Sequence, residues 1–163
     1  RVANKIDHVN ELLISTKPDI LILTEHGLKS NVINHAKLAD YTLVSAYGRK
    51  EHIKGGVVIY RHNNIANKTE NLEIEEYSLE MVCEVTAVKI HINKKKSLFL
   101  LGVYRPPCAD LDTSLQVLTD ALDSLPTQRN DTLIMGDINI DNFNGASKES
   151  TALNALLAVY KIR

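Results

Sequence analysis

The sequence predicts a mixed α/β (α+β) fold on three observations. Apolar residues recur at helical spacing near the start of the chain and again over residues 111–125. Continuous apolar runs of strand length lie at 19–23, 98–103 and 133–135, and an alternating stretch lies at 79–85. A turn or a proline stands between most of these segments.

Taken in order, Val2, Ile6, Val9 and Leu13 fall on one helical face, and Pro18 ends that helix before the strand at 19–23. Residues 55–60 read as a strand whose glycines permit close packing, with Asn63-Asn64 as a turn. Leu79, Met81, Cys83 and Val85 alternate, but the apolar parity then moves to Val88, Ile90 and Ile92, which predicts a bulge near Ala87. Lys94-Lys95-Lys96 sits between two strand-like runs and reads as the hairpin turn back to Leu98. Leu111, Leu115, Leu118, Leu122 and Leu125 form a helical core stripe, with Asp112 or Thr113 as N-cap and Pro126 as the stop. A last helix over 150–160 buries Leu153, Leu156, Leu157 and Tyr160. There is no internal repeat, low-complexity segment or linker.

Composition fits one domain over residues 1–163, since 163 residues with 44% apolar content can bury one core. No apolar stretch approaches the ~20 residues that span a bilayer. The N-terminus lacks the pattern of a signal peptide. Cys83 and Cys108 are too few for a disulfide framework, Cys83 reads as a small core residue, and a reducing, intracellular setting is expected. The six histidines, His8, His26, His35, His52, His62 and His91, show no ligand spacing for zinc. His26 is read as a packing or solvent residue, because a strand neighbour of Glu25 points to the opposite face.

The chemistry gathers where buried strands end. Gly136-Asp137-Ile138-Asn139 follows Leu133, Ile134 and Met135, Thr24-Glu25-His26 follows the run at 19–23, and Tyr104-Arg105-Pro106-Pro107 closes the run at 98–103. A buried strand fixes its end rigidly, Gly136 allows close backbone approach, and alternation sends Asp137 and Asn139 to the same side. A carboxylate there can accept a proton from water or help hold a metal, and an amide or phenol can donate to a developing oxyanion. The alternative reading of Gly-Asp-x-Asn is a capping turn.

The ordered motifs "LILTEH", "KGGVVIY", "LLGVYRPP" and "LIMGDINID" resemble the endonuclease/exonuclease/phosphatase superfamily. The Tyr-Arg-Pro-Pro form looks most like the endonuclease domain of non-LTR (LINE-type) retrotransposons. The resemblance implies a two-layer β-sandwich flanked by helices, the DNase I-like fold, together with Mg²⁺ (or Mn²⁺) and hydrolysis of a phosphodiester. In that reading Glu25 and Asp137 are metal ligands, Asp137 also activates water, and Asn139 and Tyr104 bond the phosphoryl oxygens. Glu80 matches an acidic position of the retroelement pattern, with a solvent-facing strand residue as its alternative. The family also has an Asn on a preceding strand and a terminal Asp-His pair, neither of which occurs here. The fold is therefore expected to be incomplete and the 163 residues inactive alone, an internal fragment or a decayed copy.

A net charge of -1 and a pI of about 6.7 do not advertise nucleic-acid binding. Arg49, Lys50, Lys54, Arg61 and Arg105 suggest a basic rim for DNA around an acidic centre, or else ordinary solvated loop residues. Three functions follow. One is a DNA-nicking domain of a retrotransposon polyprotein with a downstream reverse transcriptase, acting in the nucleus. The others are a phosphoesterase for a lipid or sugar phosphate and a non-catalytic remnant. The flanking reading frame separates them.

Overall fold

The computed structural model describes residues 6–29, 33, 37–127, 130–140 and 147–162. Its elements run α1 (Ile6–Thr16), β1 (Ile20–Thr24), β2 (Tyr41–Tyr47), β3 (Val57–His62), β4 (Thr69–Asn71), β5 (Glu84–His91), β6 (Ser97–Tyr104), α2 (Leu111–Asp123), β7 (Asp131–Asp137) and α3 (Lys148–Val159). The strands form two sheets, ordered β1-β3-β2 and β4-β5-β6-β7. Every pairing is antiparallel except β6 with β7, whose parallel register is reached through α2.

Three apolar layers hold the sheets and helices together. Leu13 of α1 packs with Tyr41, Val58 and Tyr60 on the outer face of the first sheet. Ile59, Val88 and Leu100 meet between the sheets. Val85, Ala87, Phe99, Leu101 and Val103 pack under α2 and Leu153 of α3. The order is therefore helix, sheet, sheet, helices, as expected of a sandwich with helical flanks.

This layering corrects the expected bulge near Ala87. β5 pairs with β6 without a register shift from Glu84 to His91, and the shift falls instead in β2, between Leu43 and Ser45. The apolar parity changes because β5 is buried on both faces: Val85 and Ala87 face the helices, and Val88 faces the other sheet. Leu79 and Met81 precede the strand in a turn closed by a Leu79–Cys83 bridge, and both are exposed. Cys83 is fully buried in the core, as read from the sequence.

The helix ends have local causes. Lys17 takes a left-handed φ of 43° and donates to Leu13 O at 2.9 Å, and Pro18 then prevents continuation of α1. α2 is capped by Asp110 rather than by Asp112 or Thr113: Asp110 Oδ1 accepts the Thr113 N–H at 2.8 Å. Ser147 caps α3, where Leu153 is buried and Leu156, Leu157 and Tyr160 pack half-buried against the core. The Lys94–Lys96 turn is pinned by Asn93 Oδ1, which accepts the N–H groups of Lys95 and Lys96. Val2 and His35 lie outside the described residues.

β7 is an edge of its sheet among the described strands, and it carries Leu133 and Met135 at 37% and 48% exposure. An unpaired edge with apolar side chains is a template for association. Met135→Lys should therefore lower self-association in sedimentation velocity while changing unfolding free energy by no more than about 0.5 kcal/mol.

Candidate active site

Three strand ends meet at one end of the sandwich. Thr24, the last residue of β1, pairs with Val57, and Tyr104, the last of β6, pairs with Asp137, the last of β7. Just beyond β1, Glu25 adopts a left-handed backbone (φ 51°) and donates its N–H to Gly56 O at 2.9 Å. That turn leaves the Glu25 side chain exposed, where its carboxylate accepts a hydrogen bond from the Tyr104 hydroxyl. Tyr104 is 3% exposed, and burial, then the Glu25 carboxylate, push its phenol well above the usual value. It is consequently a neutral donor throughout the physiological range.

Asp137 and Asn139 do share this end, but strand alternation is not the reason. β7 stops at Asp137, and Asn139 lies in a left-handed turn (φ 52°). Its N–H is accepted by Asp137 Oδ1 at 3.2 Å, and its side-chain amide donates to Arg105 O at 2.8 Å. The turn reading of Gly-Asp-x-Asn is thus correct in its geometry, and the same turn places both residues beside Tyr104-Arg105. Gly136 meets a strict requirement, since a Cβ there would come within 1.9 Å of Val103 O.

The expected basic rim is corrected at its arginines. Arg49 is 5% exposed and paired with Glu84. Arg105 is 3% exposed and donates to Ser114 Oγ and to the carbonyls of Ala109, Ile138 and Asn139. A guanidinium held by several internal acceptors is structural, not free for phosphate. Arg61 pairs with Ile20, at the opposite end of β1 from Glu25. Lys50 and Lys54 are exposed on the loop before β3 and are what remains of the rim.

Glu80 is not a solvent-facing strand residue. It accepts the N–H groups of Lys50, Glu51 and His52, the last at 2.7 Å, and meets His52 Nδ1 at 2.8 Å. Partial burial alone would raise its carboxyl, but these hydrogen bonds outweigh it and bring the pKa down to about 2. His26 is fully buried, with Nε2 3.0 Å from Tyr47 O and Nδ1 accepting the Leu28 N–H at 3.0 Å, so of the expected packing or solvent roles it takes packing, though not through strand alternation, since β1 ends at Thr24. Glu84, buried in an apolar strand, was missed. Its one sequence signal is a carboxylate inside the run Val82 to Val88.

Among the described residues no three His, Cys, Asp or Glu side chains group closely enough to hold a metal ion. Glu25 and Asp137 nevertheless offer exposed carboxylate oxygens, the donor type that suits Mg²⁺, which usually takes one or two carboxylates and keeps its waters. A cavity of about 590 Å³ between the ends of α2 and α3, lined by Leu122, Leu125 and Tyr160 among others, holds none of the strand-end residues.

The two-sheet architecture with flanking helices is that of the endonuclease/exonuclease/phosphatase (DNase I-like) fold, as similar solved structures show. Among solved structures the chain is similar to the endonuclease domain of TRAS1, a telomere-specific non-LTR retrotransposon, with a TM-score of 0.65 and 11% identity over 93% of this chain. It is also similar to AP endonuclease LMAP from Leishmania major, with a TM-score of 0.66 and 13% identity over 96% of the chain. A third neighbour is the mannosyl-6-phosphatase Bt3783 of Bacteroides thetaiotaomicron, with a TM-score of 0.58 and 14% identity over 93%. The chain spans 64%, 62% and 62% of the lengths of these three. No protein-family model matches the sequence, and neither does any curated protein.

Two measurements check this geometry. A Cβ on Gly56 (φ 86°) would fall 2.1 Å from His26 Nε2, so Gly56→Ala should cost at least ~2 kcal/mol in denaturant unfolding through strain and the loss of His26 packing. Burial holds the His26 pKa below 6.5, only partly offset by its Tyr47 bond, so below that pH the unfolded chain binds a proton that the native one refuses. Stability should fall as pH drops below 6.5. A second loss should follow as pH falls from 4.5 toward about 2, where native Glu80 takes up its proton.

Proposed function

We propose that this chain is part of the catalytic domain of a divalent-metal-dependent phosphodiesterase that nicks DNA, within a retrotransposon polyprotein, and that these 163 residues are inactive alone. The observation that carries the reading is the Tyr104 hydroxyl donating to Glu25 beside the Asp137–Asn139 turn, on a fold shared with a retrotransposon endonuclease and an AP endonuclease.

Glu25 and Asp137 would hold the metal, Mg²⁺ or Mn²⁺. When bound, it supplies polarisation of the phosphate and stabilisation of the leaving alkoxide. Asp137, exposed at the end of β7, accepts the proton of the attacking water. Tyr104, kept protonated, would turn its single O–H from the Glu25 carboxylate, once that carboxylate holds the metal, to charge developing on the phosphoryl oxygens. Asn139 is fixed through its Arg105 bond, which orients its amide before substrate arrives. Lys50 and Lys54 contact the DNA backbone from the loop before β3. A reverse transcriptase encoded downstream and action in the nucleus complete the proposal. A sugar-phosphate monoester is the second substrate class, favoured by the similarity to a mannosyl-6-phosphatase.

The test uses the protein expressed from its complete reading frame. With Mg²⁺ it should convert supercoiled plasmid to nicked circles, with Asp137→Ala and Glu25→Gln each reducing the rate by ~100-fold or more. Release of phosphate from mannose 6-phosphate without nicking would instead select the monoesterase. In calorimetric titration Glu25→Gln should weaken Mg²⁺ binding at least ~10-fold, and unchanged affinity would remove Glu25 as a ligand.

A further inference from the structure

Glu84 is fully buried, and a buried carboxylate is costly unless it is paired and hydrogen-bonded. Here both oxygens are used. Oε1 accepts from Arg49 Nε and, at 3.4 Å, from the Met81 N–H, and Oε2 accepts the Gly56 N–H at 2.5 Å. The Arg49 guanidinium then lies 5.8 Å from the centroid of the Tyr104 ring, in the space a Cβ on Gly55 would occupy. Glu84 and Tyr104 are also direct partners in the β5–β6 register, so the acid stands beside the ring it serves through Arg49.

An apolar pair would fill this interior with no charge to desolvate, and replacing buried ion pairs with hydrophobic groups is often neutral or stabilising. Stability therefore does not account for the pair. Its contacts do: the guanidinium carbon lies over the Tyr104 ring, and Glu84 also fixes Gly56, whose carbonyl receives the Glu25 N–H. The bonded Arg49–Glu84 pair thus reaches both members of the Glu25–Tyr104 hydrogen bond, Tyr104 through Arg49 and the Glu25 backbone through Glu84 and Gly56.

We infer that Arg49 and Glu84 are positioning residues, which set the Tyr104 hydroxyl against Glu25 without touching substrate. The inference rests on the functional reading above for its purpose, but not for its test. Tyrosine labelled with ¹³C at Cζ gives a Tyr104 signal whose shift reports the phenol's hydrogen bond. In the wild type, Glu25→Gln should move that signal. In Arg49→Met/Glu84→Gln, which leaves no unpaired charge inside, the Tyr104 signal should already be displaced, and adding Glu25→Gln should move it no further. Arg49→Lys keeps the charge without the planar fork and should not restore the wild-type shift. A folded double variant whose Tyr104 signal still responds fully to Glu25→Gln would overturn the inference. Should the interior variants fail to fold, the exposed Glu25→Gln variant gives the reciprocal reading. The Arg49 Nε–H resonance should shift in it, and an unmoved resonance would overturn the inference equally. Failure of Glu25→Gln to affect Mg²⁺ binding or nicking would defeat the functional reading alone.

Discussion

Everything at the strand-end site follows from one constraint: the central strands β3, β5 and β6 are buried on both faces. A strand in that position has no solvent side on which to carry polar chemistry, and any polar atom inside needs a protein partner. The exceptions obey this. Ser45 and Thr86, buried between the sheets, both bond to Glu75, with Thr86 Oγ1 at 2.8 Å from its Oε1. Polar groups that meet water are left to the strand ends, where β1, β6 and β7 deliver Glu25, Tyr104 and Asp137.

This is also why part of the site was legible in the sequence. Apolar runs that stop abruptly at Glu25, at Tyr104 before two prolines, and at Asp137 can be read from local pattern, and the structure brings those ends together. The Arg49–Glu84 pair could not be read in that way, because its members are 35 residues apart and are joined only by the stacking of two sheets. Arg49 accordingly looked like one more loop cation. The parity change in β5 misled for a related reason: two-sided burial and a bulge leave the same imprint on a linear pattern. The cap at Asp110 was passed over for Asp112 or Thr113 because all three polar residues stand within four positions, and only the backbone decides among them.

The loop before β3 shows how little regular structure is needed to make a segment firm. Glu80 takes the N–H groups of Lys50, Glu51 and His52, while Glu84 takes Arg49 and Gly56. Two acids four residues apart thus hold the start, the middle and the end of one loop. His26, packed against Gly56 and bonded to Tyr47 O, closes the same region from the β1 side. Fixed in this manner, the loop contributes its backbone to the site and still leaves the side chains of Lys50 and Lys54 exposed to solvent, as it does Glu51, His52 and Ile53.

The left-handed backbone of Glu25 has an evolutionary consequence. At φ 51° a glycine would relieve about 1 kcal/mol of strain, and an asparagine would tolerate the conformation better than glutamate does. A screen that rewards thermal tolerance alone would drift toward those residues at this site and discard the carboxylate. Under the proposed function, Glu25 is a position where fitness for folding and fitness for chemistry oppose each other, and a lineage freed from the need for catalysis should lose it early.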